Sequence, residues 1–183
     1  LILVLRASNA VIPKNDFRIQ YFVGSLITAI AAIVGLTKVL ADLFSTILSQ
    51  PIFLGAQAPA LISTGEKLLD GFGTLVIASA LWFYYWIKNA NTKTNDTMWL
   101  SYVLVAGVGG SLVLALTSLT VTIYQVLVWF VGEPTSQIAA EHFGGLPVSS
   151  ASAIVGLLAW WYHKSLLPLH STRSETQRIY EYV

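Results

Sequence analysis

Four stretches of the chain are apolar at consecutive positions, with polar clusters between them. A helix needs about 20 mostly apolar residues to cross roughly 30 Å of hydrocarbon, and each stretch is long enough. The first runs from Phe17 to about Ser49 and carries no charge from Ile19 to Thr37; the second runs from about Leu68 to Ile87. The third runs from Trp99 to Val131 and the fourth from Pro147 to about Leu167. Runs such as LITAIAAIVGL and SLVLALTSL lack the strict alternation of barrel strands. The pattern predicts an all-α integral membrane protein with four transmembrane helices. The first stretch, 33 positions as one helix, would be about 50 Å long, so it tilts, projects past the bilayer, or breaks and lies along the interface. The same choice holds for the third. Pro51 and Pro134 follow the two long stretches as stop signals.

Charge sets the orientation. If the helices alternate, Arg6, Lys14, Arg18, Lys88, Lys93, Lys164, Arg173 and Arg178 share one side, and Lys67 is alone in the opposite loops. Positive residues favour the cytoplasmic face, so both termini are expected there, in a cytoplasmic membrane of a bacterial envelope. Trp82, Tyr85 and Trp86 end the second stretch, and Trp160, Trp161 and Tyr162 end the fourth, as an interfacial belt would. Composition agrees: 55% of the residues are hydrophobic and 10% charged, too few for a soluble surface. A net charge of +1 gives no field for nucleic acid. The absence of cysteine removes disulfides, thiolate metal sites and cysteine nucleophiles.

The chain reads as two tandem two-helix repeats. Arg18-Ile19-Gln20-Tyr21 and Trp99-Leu100-Ser101-Tyr102 open the long helices, each of which ends before a proline. Shorter helices close on WFYYWIK and WWYHK. Tyr21 to Tyr102 is 81 positions, Pro51 to Pro134 is 83 and Tyr85 to Tyr162 is 77. The predicted organisation is an N-terminal segment 1–16, membrane repeats over 17–90 and 98–167, a cytoplasmic linker 91–97, and a segment 168–183. Arg178 to Val183 resembles the opening of a third copy, and Leu1 to Leu5 the last turn of an earlier helix. Two readings stay open: a processed N-terminus with a cytoplasmic tail, or part of a longer tandem array.

The unit of a long helix opening near Tyr and a second helix closing on Trp-Tyr-His-Lys resembles an uncharacterised family of tandem two-helix bacterial membrane domains. The resemblance covers Phe17 to Tyr162. The first copy departs from the pattern, with Tyr85-Trp86 where the second has Tyr162-His163. It implies a fold and no activity.

Several residues invite chemistry. Lys38 and Asp42 stand four apart on one helix face and are expected to form an interfacial ion pair, about 30 Å along the helix from Phe17. His163 ends the fourth stretch beside Trp161 and Tyr162; it reads as a belt histidine or as a lone ligand to haem or a pigment. His142 lies near the opposite face and cannot pair with it, and His170 follows Pro168. Glu133, Glu141 and His142 fall in an outer loop without metal-ligand spacing. Asp70, after Glu66, reads as a charge at a helix N-terminus. The run from Gly107 to Ser111 has no preceding strand and no following Lys, so it is not a phosphate loop. Small residues at Ala31 and Gly35, Ala106 and Gly110, and Ser152 and Gly156 are expected at helix contacts. Asn95-Asp96-Thr97 is expected to cap the third helix.

The expected function is non-catalytic: a scaffold or accessory subunit of a larger membrane complex, bound to the lipid bilayer and to other subunits or copies of itself. No cofactor is required by the sequence. Two alternatives are a transporter or channel for small solutes or ions, with interruptions at Gly35, Gly107, Gly109 and Gly110, and a subunit binding a pigment, haem or quinone at His163.

Overall fold

The computed structural model describes residues 16–48, 64–92, 97–134 and 136–167, and among these the chain is helical without strands. The first helix, α1 (Asp16–Leu48), is continuous over 33 residues. α2 (Thr64–Trp82) passes directly into a π-helical segment, Phe83–Asn89, and a 3-10 turn, Ala90–Thr92. α3 (Thr97–Ser101) likewise leads into a longer π-helical segment, Tyr102–Gly110, and then α4 (Ser111–Val131). α5 (Ala139–His142) and a 3-10 turn, Phe143–Gly145, precede α6 (Leu146–Leu166). Pro147 sits in the first turn of α6, where its missing N–H leaves no intrahelical bond unmade. α4 stops at Gly132, whose N–H reaches back to the Val128 carbonyl at 3.1 Å.

Among the described residues, three helical stretches are long and apolar enough to cross a membrane: Ile19–Leu48, Thr97–Val131 and Ala139–Leu166. The expected second span, Leu68–Ile87, is not among them. Pro51, the Asn95 sequon, His170 and the expected terminal segments lie outside the described residues.

The helices pack as antiparallel pairs. From Gly24 to Gly35 along α1, the partner moves from Tyr85 back to Leu75. From Gly107 through Ala115 to Thr122, it moves from His163 through Gly156 to Ser149 on α6. Gly35 and Gly156 bring backbones together: a Cβ at Gly35 would lie 2.6 Å from the Leu75 nitrogen, and one at Gly156 would lie 2.7 Å from the Ala115 nitrogen. Of the other expected contact residues, Ala106 packs on the core, while Ala31 and Ser152 are half-buried. Gly110 is exposed and meets no other helix, a correction whose cause is the π segment: the wider turns aim Gly107 inward instead. α1 also lies against α6, which joins the two pairs.

Hydroxyls inside the helices close on their own backbone. Ser25 donates to the Tyr21 carbonyl at 2.6 Å and Thr28 to that of Gly24 at 2.6 Å. Thr117, Thr120 and Thr122 donate to carbonyls four residues back at 2.8, 2.8 and 2.9 Å. Ser111 makes the same bond to Gly107. Such back-bonding removes the need for an outside partner in hydrocarbon.

Candidate functional site

The starts of α1 and α3 and the ends of α2 and α6 meet in one aromatic cluster. Its buried members are Phe22, Trp86, Ala90, Trp99, Tyr102 and Val103, with Tyr21, Trp82 and Tyr162 packed on them. Trp86 and Tyr102 stack with centroids 4.4 Å apart, and Phe22 lies 6.0 Å from Tyr102. The indoles are tethered: Trp86 donates to the Tyr162 hydroxyl at 2.9 Å, and Trp99 to Asn91 Oδ1 at 2.7 Å. Both π segments contribute, one through Tyr85 and Trp86, the other through Tyr102, Val103 and Gly107. Such widened turns recur at functional sites.

His163 completes the cluster and is only 7% exposed. Its ring lies 5.0 Å from Tyr162, 6.0 Å from Tyr102 and 6.4 Å from Trp86. Gly107 lies against one edge so closely that a Cβ there would sit 2.9 Å from the His163 Cβ and nearer still to the ring. Nδ1 lies 2.8 Å from the Ala159 carbonyl, which can only accept, so Nδ1 carries the proton and Nε2 presents a lone pair. Nε2 is buried without a hydrogen-bond partner, whereas the indole N–H of Trp82 lies within interaction range of the Tyr102 hydroxyl. Leaving such a group unmet costs about 1–3 kcal/mol.

This placement corrects the belt reading at His163 and Trp86. Trp86 is fully enclosed, and Trp82, Tyr85, Trp160 and Tyr162 are half-buried; of the six, Trp161 is exposed, at 68%. The belt pattern and a buried aromatic cluster share one composition, and packing between the helix pairs encloses Trp86 and His163 while the other rings stay partly exposed. Lys164 lies over the Trp160 ring at 4.7 Å, a cation–π contact.

At the other end of the pairs, Lys38 bonds not Asp42 on its own helix but Asp70 on α2, at 2.7 Å. Gly71 makes this possible: a Cβ there would come within 3.0 Å of the Lys38 Cβ, so the helices are close enough for the ammonium to cross. Asp70 stands beyond the first turn of α2, so its role is this ion pair and not a charge at the helix start. Glu141 accepts from Ser136 Oγ at 2.7 Å. His142 packs between Trp129 and Phe143, with ring centroids at 5.2 and 4.9 Å, and its Nε2 donates to the Gln125 carbonyl at 2.8 Å. Among the described residues no three His, Asp or Glu stand together as a metal site.

Sequence reasoning missed Trp86, Tyr102 and Gly107 as partners of His163. The available signal was the change in repeat spacing from 81 at the tyrosines to 83 at the prolines, which places two extra residues somewhere between Tyr102 and Pro134. No family model, curated protein or solved structure matches the chain.

Proposed function

We propose that the chain is a four-span membrane scaffold or accessory subunit, built from two tandem two-helix units of the family it resembles, with both termini in the cytoplasm of a bacterium. In this reading α2 crosses between α1 and α3, with Trp86 buried after its end and Asp70 paired to Lys38. The observation that carries the reading is close backbone packing at Gly35 and Gly156 beneath flanks that expose large apolar residues, among them Ile27, Val105 and Leu116. Rigid helix pairs with wide apolar flanks suit a part that holds others in place.

The repeat is supported by a shared detail. In each unit a glycine on the long helix faces a ring near the end of the shorter one, and a hydroxyl four residues on bonds that glycine's carbonyl: Gly24, Tyr85 and Thr28, then Gly107, His163 and Ser111. Gly24 to Gly107 and Thr28 to Ser111 are each 83 positions, as are the prolines, whereas Tyr21 to Tyr102 is 81. The two additional residues of the second unit enter between Tyr102 and Gly107, within the π segment. Closing each turn at i+5 takes in roughly one residue more per turn, so two wide turns absorb about two.

Topology is tested with single cysteines, since the natural chain has none. Lys88→Cys and Lys164→Cys react with an impermeant maleimide from the cytoplasmic face, and Ser136→Cys from the opposite face. Labelling of Ile47→Cys and Lys88→Cys, which lie on either side of α2, from the same face removes the four-span arrangement. Function is tested by affinity purification in mild detergent. Stoichiometric membrane subunits are expected beside the chain; a bare monomer overturns the scaffold reading.

A further inference from the structure

We infer that the chain binds a second copy of itself head-to-tail, the free face of α2 on one copy docking on the free face of α4 on the next. The inference rests on the two-unit scaffold reading above and names a partner that this reading leaves open. The units correspond at both ends of their helix pairs. At one end Gly24 faces Tyr85 as Gly107 faces His163; at the other Val39 meets Gly71 as Thr122 meets Ser149. At both ends the long helices match at 83 positions and the shorter ones at 78. Each face of one unit therefore has a defined counterpart on the other.

The way two units dock is visible within the chain. α6 lies against α1 with a face turned away from its own partner α4: Ala151 and Val155 are buried, Ala159 is half-buried, and Tyr162 reaches Trp82 and Trp86 of the first unit. On α1, the covered residues turned away from α2 include Ser25, Ile33 and Leu36, roughly a third to half a turn around from Gly24. The counterparts of both faces are bare. On α2, 78 positions before the α6 set, stand Gly73, Ile77, Leu81 and Tyr84. A Cβ at Gly73 meets nothing within 4 Å, Ile77 is 65% exposed, and Leu81 and Tyr84 are exposed. On α4, Leu116 and Leu119, the counterparts of Ile33 and Leu36, are exposed.

The chain thus carries both halves of an interface that it already forms once. The residue types agree, with small Gly73 for Ala151, β-branched Ile77 for Val155, and Tyr84 for Tyr162. The counterpart of Trp82 is Trp160, so a docked copy lays its Tyr84 on the Trp160 of its neighbour as Tyr162 lies on Trp82, with centroids 5.6 Å apart. Both long helices start at the aromatic cluster, so repeating the contact keeps every copy in one orientation across a bilayer. Because the two faces differ, the contact is heterologous and extends into a ring or a row of copies.

The test uses the full chain, which has no cysteine of its own, in the membranes of the expressing cells. Ile77→Cys and Leu116→Cys, on separate copies with different affinity tags, are co-expressed and oxidised with copper phenanthroline. Val155, the counterpart of Ile77, adjoins Gly156, which packs on Ala115, so the two thiols stand at matching depth. A disulfide joining the two different variants is expected, with neither variant joined to itself. Gly73→Phe on the Ile77→Cys copy abolishes that product, because the ring has open space within its own chain but fills the docking face. Self-joined variants as abundant as the mixed pair, a product that survives Gly73→Phe, or no disulfide at all, as for a face covered by lipid, each overturns the inference. Affinity purification of the same membranes separates it from the scaffold reading. Other membrane subunits without the mixed disulfide remove the head-to-tail contact alone, whereas a bare monomer removes both.

Discussion

Replacing Gly35 by alanine tests the closest backbone approach in the first helix pair. The added Cβ would stand 2.6 Å from the Leu75 nitrogen and 2.8 Å from its Cα, atoms that cannot rotate away. Ordinary contacts begin near 3.5 Å, so α1 and α2 must part locally by roughly 0.9 Å, and a gap of that size forfeits a quarter to a half of each neighbouring contact. Overpacking of this kind costs about 1–3 kcal/mol. Alanine also gains about 0.5–1 kcal/mol over glycine within a helix, which masks part of the loss. Gly73, on α2, removes that ambiguity because a Cβ there meets nothing within 4 Å. Gly73→Ala keeps the gain without the clash. Propensity cancels between the two variants, leaving a difference of about 1–3 kcal/mol from the helix contact alone. Reversible unfolding in mixed micelles, followed by circular dichroism as dodecyl sulfate rises, measures it. Equal midpoints for the two variants would refute the packing of α1 on α2 by way of Gly35.

Other substitutions report on the remaining contacts. A double-mutant cycle of Lys38→Met with Asp70→Asn is expected to give a coupling of about 0.2–1 kcal/mol that shrinks with added salt, since both side chains are substantially exposed, whereas a cycle with Asp42→Asn gives none. Trp86→Ala empties the middle of the aromatic cluster and should cost about 3–5 kcal/mol by the same unfolding assay. Gly107→Ala pushes on the His163 ring, so the near-ultraviolet dichroism of the cluster should change. In a His163→Ala background the same substitution should be milder by more than 1 kcal/mol, a relief that a purely local helix effect would not produce.

The long helices were legible because hydrophobic runs, prolines and chain length act locally. α1 covers Asp16–Leu48 against an expected Phe17 to Ser49, and α6 covers Leu146–Leu166 against Pro147 to Leu167. Cross-helix register was not legible. Lys38 has a carboxylate one turn away at Asp42, and only the antiparallel docking of α2 brings Asp70 closer. Burial at helix ends failed for a related reason. A Trp-Tyr-His-Lys ending suits both a lipid interface and a protein interior, and neighbouring helices decide between them; for His163 they enclose it, and for Trp161 they do not. The i,i+4 spacing of Ala106 and Gly110 predicts an α-helical contact face, whereas the i+5 turns shift which glycine of the run faces α6.

The back-bonded hydroxyls of α4 bear on how the chain enters a membrane in the first place. During synthesis a helix meets lipid before its partners have emerged, and every unpaired donor then counts against insertion. Thr117 and Thr120 answer that demand within their own helix, each hydroxyl closed on a carbonyl one turn behind. Thr122 does the same and then adds a 2.9 Å contact to Ser149 once α6 is present. α4 is therefore equipped to partition alone, as though it were a more aliphatic segment than its composition implies. The same Thr122 hydroxyl that is closed on its own helix also meets Ser149, so one set of side chains suits both a lone helix in lipid and the packed pair.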